Sequence, residues 1–183
     1  MDETTVQVLK KEGRAPRSKS FMWVRRGGPP HQPVILFDYD PSRGGSVPAR
    51  LLADFQGILQ TDGYDGYGGV AKRDDIISVG CLAHARRKFD EALKAQKKKG
   101  RGGLAQQGFD FMSRLYRVER EARARGLDAD QREKLRTEKG RPIWEEMRQG
   151  LDRVRGQVPP RVLTGKALTY LDVQWTRLIR YLD

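Results

Sequence analysis

The sequence predicts an α/β fold: a mixed sheet of three antiparallel strands and then parallel strands, followed by a basic, all-helical region. Three observations carry this. Extended β-branched and aromatic runs occupy the first part, apolar residues recur at helical spacing in the second, and Gly/Pro clusters punctuate both. Thr4-Thr5-Val6-Gln7-Val8-Leu9 is the first strand, with Asp2 at its opening. Lys10 to Lys19 is a basic turn region containing Gly13 and Pro16. Phe21-Met22-Trp23-Val24 is the second strand, stopped by Gly27-Gly28-Pro29-Pro30. Pro33-Val34-Ile35-Leu36-Phe37 is the third, a continuous apolar run that predicts a strand buried on both faces.

The period then changes. Val47, Leu51, Leu52 and Phe55 are spaced as on a helix, with Ser46 as expected N-cap, Pro48 in the first turn and Gly57 at the end. Ile58-Leu59-Gln60-Thr61 is a fourth strand, running into Asp62-Gly63-Tyr64. A short helix or turn is expected over Tyr64 to Val70, and Ile76-Ile77-Ser78-Val79 is a fifth strand. From His84 the pattern is helical to Lys99, broken over Gly100 to Gly103. A second helix carries Leu104, Gly108, Phe111, Leu115, Val118 and Ala122 and closes at Gly126. Asp128 or Asp130 can cap a third, bent or broken at Gly140-Arg141-Pro142 and continuing through Trp144, Met147 and Leu151. Pro159-Pro160 links to a last helix with Thr164 as expected cap and Leu168, Leu171, Trp175, Leu178 and Leu182 inward. Three hairpin-connected strands followed by helix-linked strands are the element order of the RNase H-like fold.

Composition narrows the function. The chain has 183 residues and a net charge of +12. A mean hydropathy of −0.73 and the lack of an apolar run near 20 residues argue against a membrane partner. The acidic start, Met1-Asp2-Glu3-Thr4, is unlike a secretory signal. One cysteine, Cys81, rules out a disulfide framework and points to a reducing, cytoplasmic location. The charge is uneven. Residues 1–83 hold 11 basic and 10 acidic side chains, whereas residues 84–156 hold 21 and 12. A concentrated basic region implies a polyanion, most commonly nucleic acid; a solubilising face laced with pairs such as Asp90–Lys94 is the alternative.

Two acids stand out for chemistry. Asp2 opens the first strand and Asp62 closes the fourth; if those strands are neighbours, the two carboxylates can share Mg²⁺ or Mn²⁺. Two such ions about 3.5–4 Å apart can activate a nucleophile and stabilise a phosphodiester's leaving oxygen. Gly63 would let a substrate backbone approach. The alternative makes Asp2 a frayed end and Asp62 a turn former before glycine. Asp38-Tyr39-Asp40 before Pro41 reads as a turn, and His31 in its Gly-Pro loop as exposed. Cys81 and His84 have metal-ligand spacing but no second pair, so a buried thiol and a helix-start imidazole are expected. His84, Arg86, Arg87 and Lys88 place cations where a helix dipole disfavours them, which a bound phosphate would offset. Arg114, Arg117, Arg123 and Arg125 recur at helical spacing and can line one outer, DNA-facing surface. The glycines at 63, 66, 68 and 69 match neither a dinucleotide fingerprint nor a P-loop, and no Ser-His-Asp triad is present.

Phe21-Met22-Trp23-Val24 with Arg26-Gly27-Gly28-Pro29-Pro30, then Val34-Ile35-Leu36-Phe37-Asp38-Tyr39-Asp40-Pro41-Ser42-Arg43, resembles transposases of the insertion sequence 66 family. Leu59-Gln60-Thr61-Asp62-Gly63-Tyr64-Asp65-Gly66-Tyr67 and Gly80-Cys81-Leu82-Ala83-His84-Ala85-Arg86-Arg87-Lys88-Phe89 follow in the family's order, and the Asp2-Glu3-Thr4 opening, Ala167-Leu168-Thr169-Tyr170-Leu171 and Gln174-Trp175 also match. The resemblance implies an RNase H-like domain that cuts and joins DNA with two divalent cations held by two aspartates and a glutamate. It places the first aspartate at Asp2, the second at Asp62, and a Cys-x-x-His element at Cys81 and His84. Leu82 stands where the family usually has an aromatic residue.

Family members are longer, with an Asn-rich element beyond the final helix that carries the third acid. This chain contains no asparagine, so the resemblance implies a central fragment with little activity of its own. The implied organisation is a catalytic core over residues 1–90, a basic helical insertion over 91–160 and a C-terminal helix over 161–183. The implied partners are double-stranded transposon-end and target DNA, and a second copy or a full-length transposase. The alternative is a non-catalytic relic that binds DNA or a transposase through its basic helices.

Overall fold

A computed structural model of the chain describes residues 1–9, 12, 13, 15, 17–29, 31–96 and 102–183. The basic turn at Lys10 and Pro16, the Pro30 strand stop, and the helix end and break at Lys97 to Gly100 lie outside the described residues. The chain divides into two compact units, Met1–Val79 and Gly80–Asp183.

In the first unit, β1 (Asp2–Gln7), β2 (Lys19–Gly27) and β3 (Val34–Asp40) form an antiparallel sheet in that order. Glu3 lies opposite Trp23, and Trp23 opposite Asp38. After α1 (Ser46–Leu51), β4 (Gly57–Thr61) pairs in parallel with β5 (Ile76–Gly80) across a 3-10 turn (Asp65–Tyr67) and α2 (Gly68–Ala71). The antiparallel and parallel parts are two sheets. The Met1 nitrogen donates to Gln60 O at 2.8 Å, which sets the start of β1 beside β4. Trp23, Val47 and Tyr67 form one buried cluster, and Leu52, Leu59, Val70 and Ile76 another; Met1 packs against both.

Ser46 lies inside α1, whose N-cap is Gly45, with no side-chain cap. Phe55 is exposed because α1 ends at Leu51 and the helical spacing no longer applies beyond it. The third strand is not buried on both faces: Val34, Ile35, Leu36 and Phe37 are 46–67% exposed. A continuous apolar run needs cover on two sides, and the strand order puts β3 at an outside edge. Val47, one of the two buried residues of α1, packs against Trp23 of β2 instead.

The second unit is helical. It comprises α3 (Leu82–Lys94), α4 (Leu104–Ala124), α5 (Ala129–Leu135), a π-helical turn (Arg136–Gly140), α6 (Arg141–Val154), α7 (Leu163–Val173), α8 (Trp175–Ile179) and a closing 3-10 turn (Arg180–Leu182). Its core contains Phe89, Met112, Leu115, Trp144, Leu171 and Leu178. Gly108 lets α4 approach α3, since a Cβ there would lie 2.2 Å from the Phe89 ring. Asp128 caps α5 in a reciprocal box with Gln131, as expected of one of the two aspartates. The expected break before Pro142 is the π turn. Thr164 is not a cap, because α7 begins a residue earlier with Val162 in the N-cap position. The last helix is split at Gln174, beyond which Trp175 meets Trp144 edge-on at 5.1 Å. Glu119 joins three elements, accepting from Arg136 Nε at 2.8 Å and Tyr181 Oη at 2.8 Å. Burial alone would raise its pKa; those hydrogen bonds hold it below the usual carboxylate range. Among the described residues, no helix is long and apolar enough to cross a membrane.

Candidate metal centre

The first unit brings Asp2 and Asp62 together from positions sixty residues apart. Asp2 is the first residue of β1, and strand alternation sends it and Glu3 to opposite faces. Asp2 is exposed, whereas the Glu3 side chain is only 1% exposed. Asp62 follows the last residue of β4. Gly63, at φ +83°, turns the chain so that Tyr64 N donates to Asp62 Oδ1 at 2.9 Å. Asp62 is therefore a turn former, and the turn aims it at the start of β1. Carboxylate oxygens of Asp2 and Asp62 lie within 4.8 Å of one another. Mg²⁺–oxygen bonds near 2.1 Å set two donors on one ion about 3–4 Å apart, so small rotations bring this pair into reach. The donors are hard oxygens, at least one carboxylate is open to solvent, and Mg²⁺ or Mn²⁺ fits such a set.

Behind the pair lies a cluster whose residues stand in the family motifs but to which the sequence reading gave no role. Glu3 Oε1 accepts from Arg43 Nε at 2.7 Å, and Glu3 Oε2 from Tyr67 Oη at 2.5 Å. The Arg43 guanidinium sits 3.8 Å over the Tyr64 ring, and Tyr64 Oη donates to Arg43 O at 3.0 Å. Tyr67 stands edge-on to both Trp23 and Tyr64, with centroids 6.0 Å apart in each case. Burial, then the Glu3 hydrogen bond and the charges of Glu3, Asp62 and Asp2, push the Tyr67 phenol far upward. It stays protonated and donates. Burial pulls Arg43 down, but Glu3, Tyr64 and Asp62 outweigh it and raise its pKa. One signal in the sequence could have exposed Glu3. In a period-2 strand it shares the face opposite Asp2, and an acid turned inward requires a partner.

The remaining candidates spread over other roles. Asp38, Tyr39 and Asp40 are the last residues of β3 and not a turn: Asp38 pairs with Arg25 at 2.9 Å, and the chain turns only after Asp40, which accepts from Ser42 N at 2.7 Å. His31 is exposed. Cys81 is a half-buried free thiol at the N-cap of α3, and His84 is half-buried in that helix's first turn. Arg86 lies 4.4 Å over Phe109, Lys88 4.8 Å over Tyr170, and Arg114 pairs with Glu146 at 2.7 Å. Arg125 pairs with Glu121 at 3.1 Å. Arg87, Arg117 and Arg123 are exposed. The expected Asp90–Lys94 ion pair forms at 2.7 Å.

The chain is 32% identical over 196 residues to the uncharacterized protein y4qI of Sinorhizobium fredii (strain NBRC 101917 / NGR234), covering 99% of this chain and 34% of that protein. It is 29% identical over 160 residues to the uncharacterized protein y4jD of the same organism, covering 84% and 30%. The chain thus spans about a third of the length of these relatives. No solved structure matches it. Residues 1–183 match the family described as Transposase IS66 family, and the chain belongs to that family.

Proposed function

We propose that this chain is the catalytic-core segment of a DNA transposase, in which Asp2 and Asp62 hold Mg²⁺ or Mn²⁺ for phosphodiester cleavage and strand transfer. The observation that carries the reading is the approach of those two carboxylates at the ends of β1 and β4. The hydrogen bond from Met1 to Gln60 supports an RNase H-like strand order, with β1 beside β4. In this reading residues 1–90 form the core, 91–160 a basic insertion and 161–183 a closing helix. The bound cation would polarise the scissile phosphoryl group and lower the pKa of the attacking water or hydroxyl.

The protein's own groups do the rest. The Tyr64 N–H bond fixes the Asp62 carboxylate, and the strand start fixes Asp2. Arg87 and Arg117, exposed on α3 and α4, supply phosphate contacts to duplex DNA. Two carboxylates hold a cation less firmly than three, so this stretch alone nicks DNA weakly or not at all. Mn²⁺ titration followed by electron paramagnetic resonance tests the site. Asp62→Asn is expected to weaken binding by about 10-fold or more. Wild-type Mn²⁺ affinity in both Asp2→Asn and Asp62→Asn would overturn the reading in favour of a DNA-binding segment without a metal site. Robust Mg²⁺-dependent nicking by the 183-residue chain, abolished by Asp62→Asn, would overturn the weak-activity part alone.

A further inference from the structure

We propose that Glu3 is a positioning residue for the cation site: it clamps the Arg43 guanidinium so that it does not compete with a metal ion for the Asp2 and Asp62 carboxylates. The inference rests on the reading of Asp2 and Asp62 as the metal-holding pair. A carboxylate as enclosed as Glu3 is costly unless each oxygen is satisfied. Here Oε1 takes both Arg43 Nε at 2.7 Å and Arg43 Nη2 at 2.6 Å, while Oε2 takes Tyr67 Oη at 2.5 Å. This ties Glu3 to two elements beyond its own strand, the Arg43 loop and the 3-10 turn.

Arg43 is the group that needs restraint. Its guanidinium rests on the ring of Tyr64, whose own N–H is bonded to Asp62. A guanidinium whose charge interacts with Asp62 has a ready alternative partner there, since Arg and carboxylate form strong paired hydrogen bonds. Occupying those oxygens would exclude a divalent cation. Glu3 supplies a buried and fully directed partner, and the Tyr64 ring lies against the guanidinium. Arg43 then contributes its charge at the rim of the site without entering it.

The test is Mn²⁺ affinity, read by electron paramagnetic resonance on the full chain, for wild type, Glu3→Gln, Arg43→Gln, the Glu3→Gln/Arg43→Gln double variant and Asp62→Asn. Glu3→Gln is expected to weaken Mn²⁺ binding about 10-fold. The double variant, with no arginine to compete, returns it to the wild-type value. A purely structural role for Glu3 would leave the double variant as weak as Glu3→Gln, and that result would overturn the proposal. So would wild-type affinity in Glu3→Gln. Where Glu3→Gln does not fold, Glu3→Asp keeps the charge, shortens the reach by a methylene and carries the same expectation, with rescue by Arg43→Gln. If Asp62→Asn binds Mn²⁺ as wild type does, the metal-pair reading fails and this inference falls with it. A loss in Asp62→Asn alone, with Glu3→Gln unaffected, removes only the positioning role.

Discussion

At Gly66 a Cβ would stand 2.3 Å from Tyr64 Cε1, closer than any side chain tolerates. The glycine is there because the Tyr64 ring, which supports Arg43, folds back over its own turn. Gly66→Ala is therefore expected to destabilise by about 1–3 kcal/mol through overpacking. A thermal melt checks this; an unchanged midpoint would mean the ring moves aside freely. The same residues mark how far the sequence can be read. Asp62-Gly63 is recognisable as a turn, and in the structure it is one, with Gly63 in the left-handed region. Glu3 belongs to no such local motif. Its role comes from Arg43 and Tyr67, 40 and 64 positions away.

Among the elements, β3 is the instructive case. Its residues read as an interior strand, yet Phe37 is 67% exposed. Apolar content reports that a strand would gain from burial, but the pairing order decides whether cover exists. Phe37→Thr should thus change stability by no more than about 0.5 kcal/mol, as exposed positions do. A loss of about 3–5 kcal/mol, typical of a buried Phe truncation, would mean the strand is covered in solution. Cap positions divide in the same manner. Asp128 is legible because its partner, Gln131, lies three residues on. Ser46 and Thr164 have the right chemistry, but each lies just inside its helix, where the side chain makes no cap bond.

For the molecule as a whole, the charge lies in the second unit, where Arg86, Lys88 and Arg114 are engaged by aromatic rings or Glu146. Arg87 and Arg117 instead face solvent. Duplex binding should weaken linearly in log K against log salt as counterions are released. Arg87→Ala and Arg117→Ala should each lessen that slope by about 1. Filter binding across a salt series measures it, and an unaltered slope in both would show that this face is merely solvated.

Element order, the helical face of α4, the Asp-Gly turn and the uneven charge are all written in local spacing, because each depends on neighbours within a few positions. The family motifs are likewise a string. Three-dimensional folding settled matters that depend on distant partners: which strand stands at an edge, which cations are already engaged, and which acid is sealed behind the aspartate pair. A contact across forty or sixty residues leaves no periodic trace in one chain. It exists only once loop closure and burial have brought the groups together.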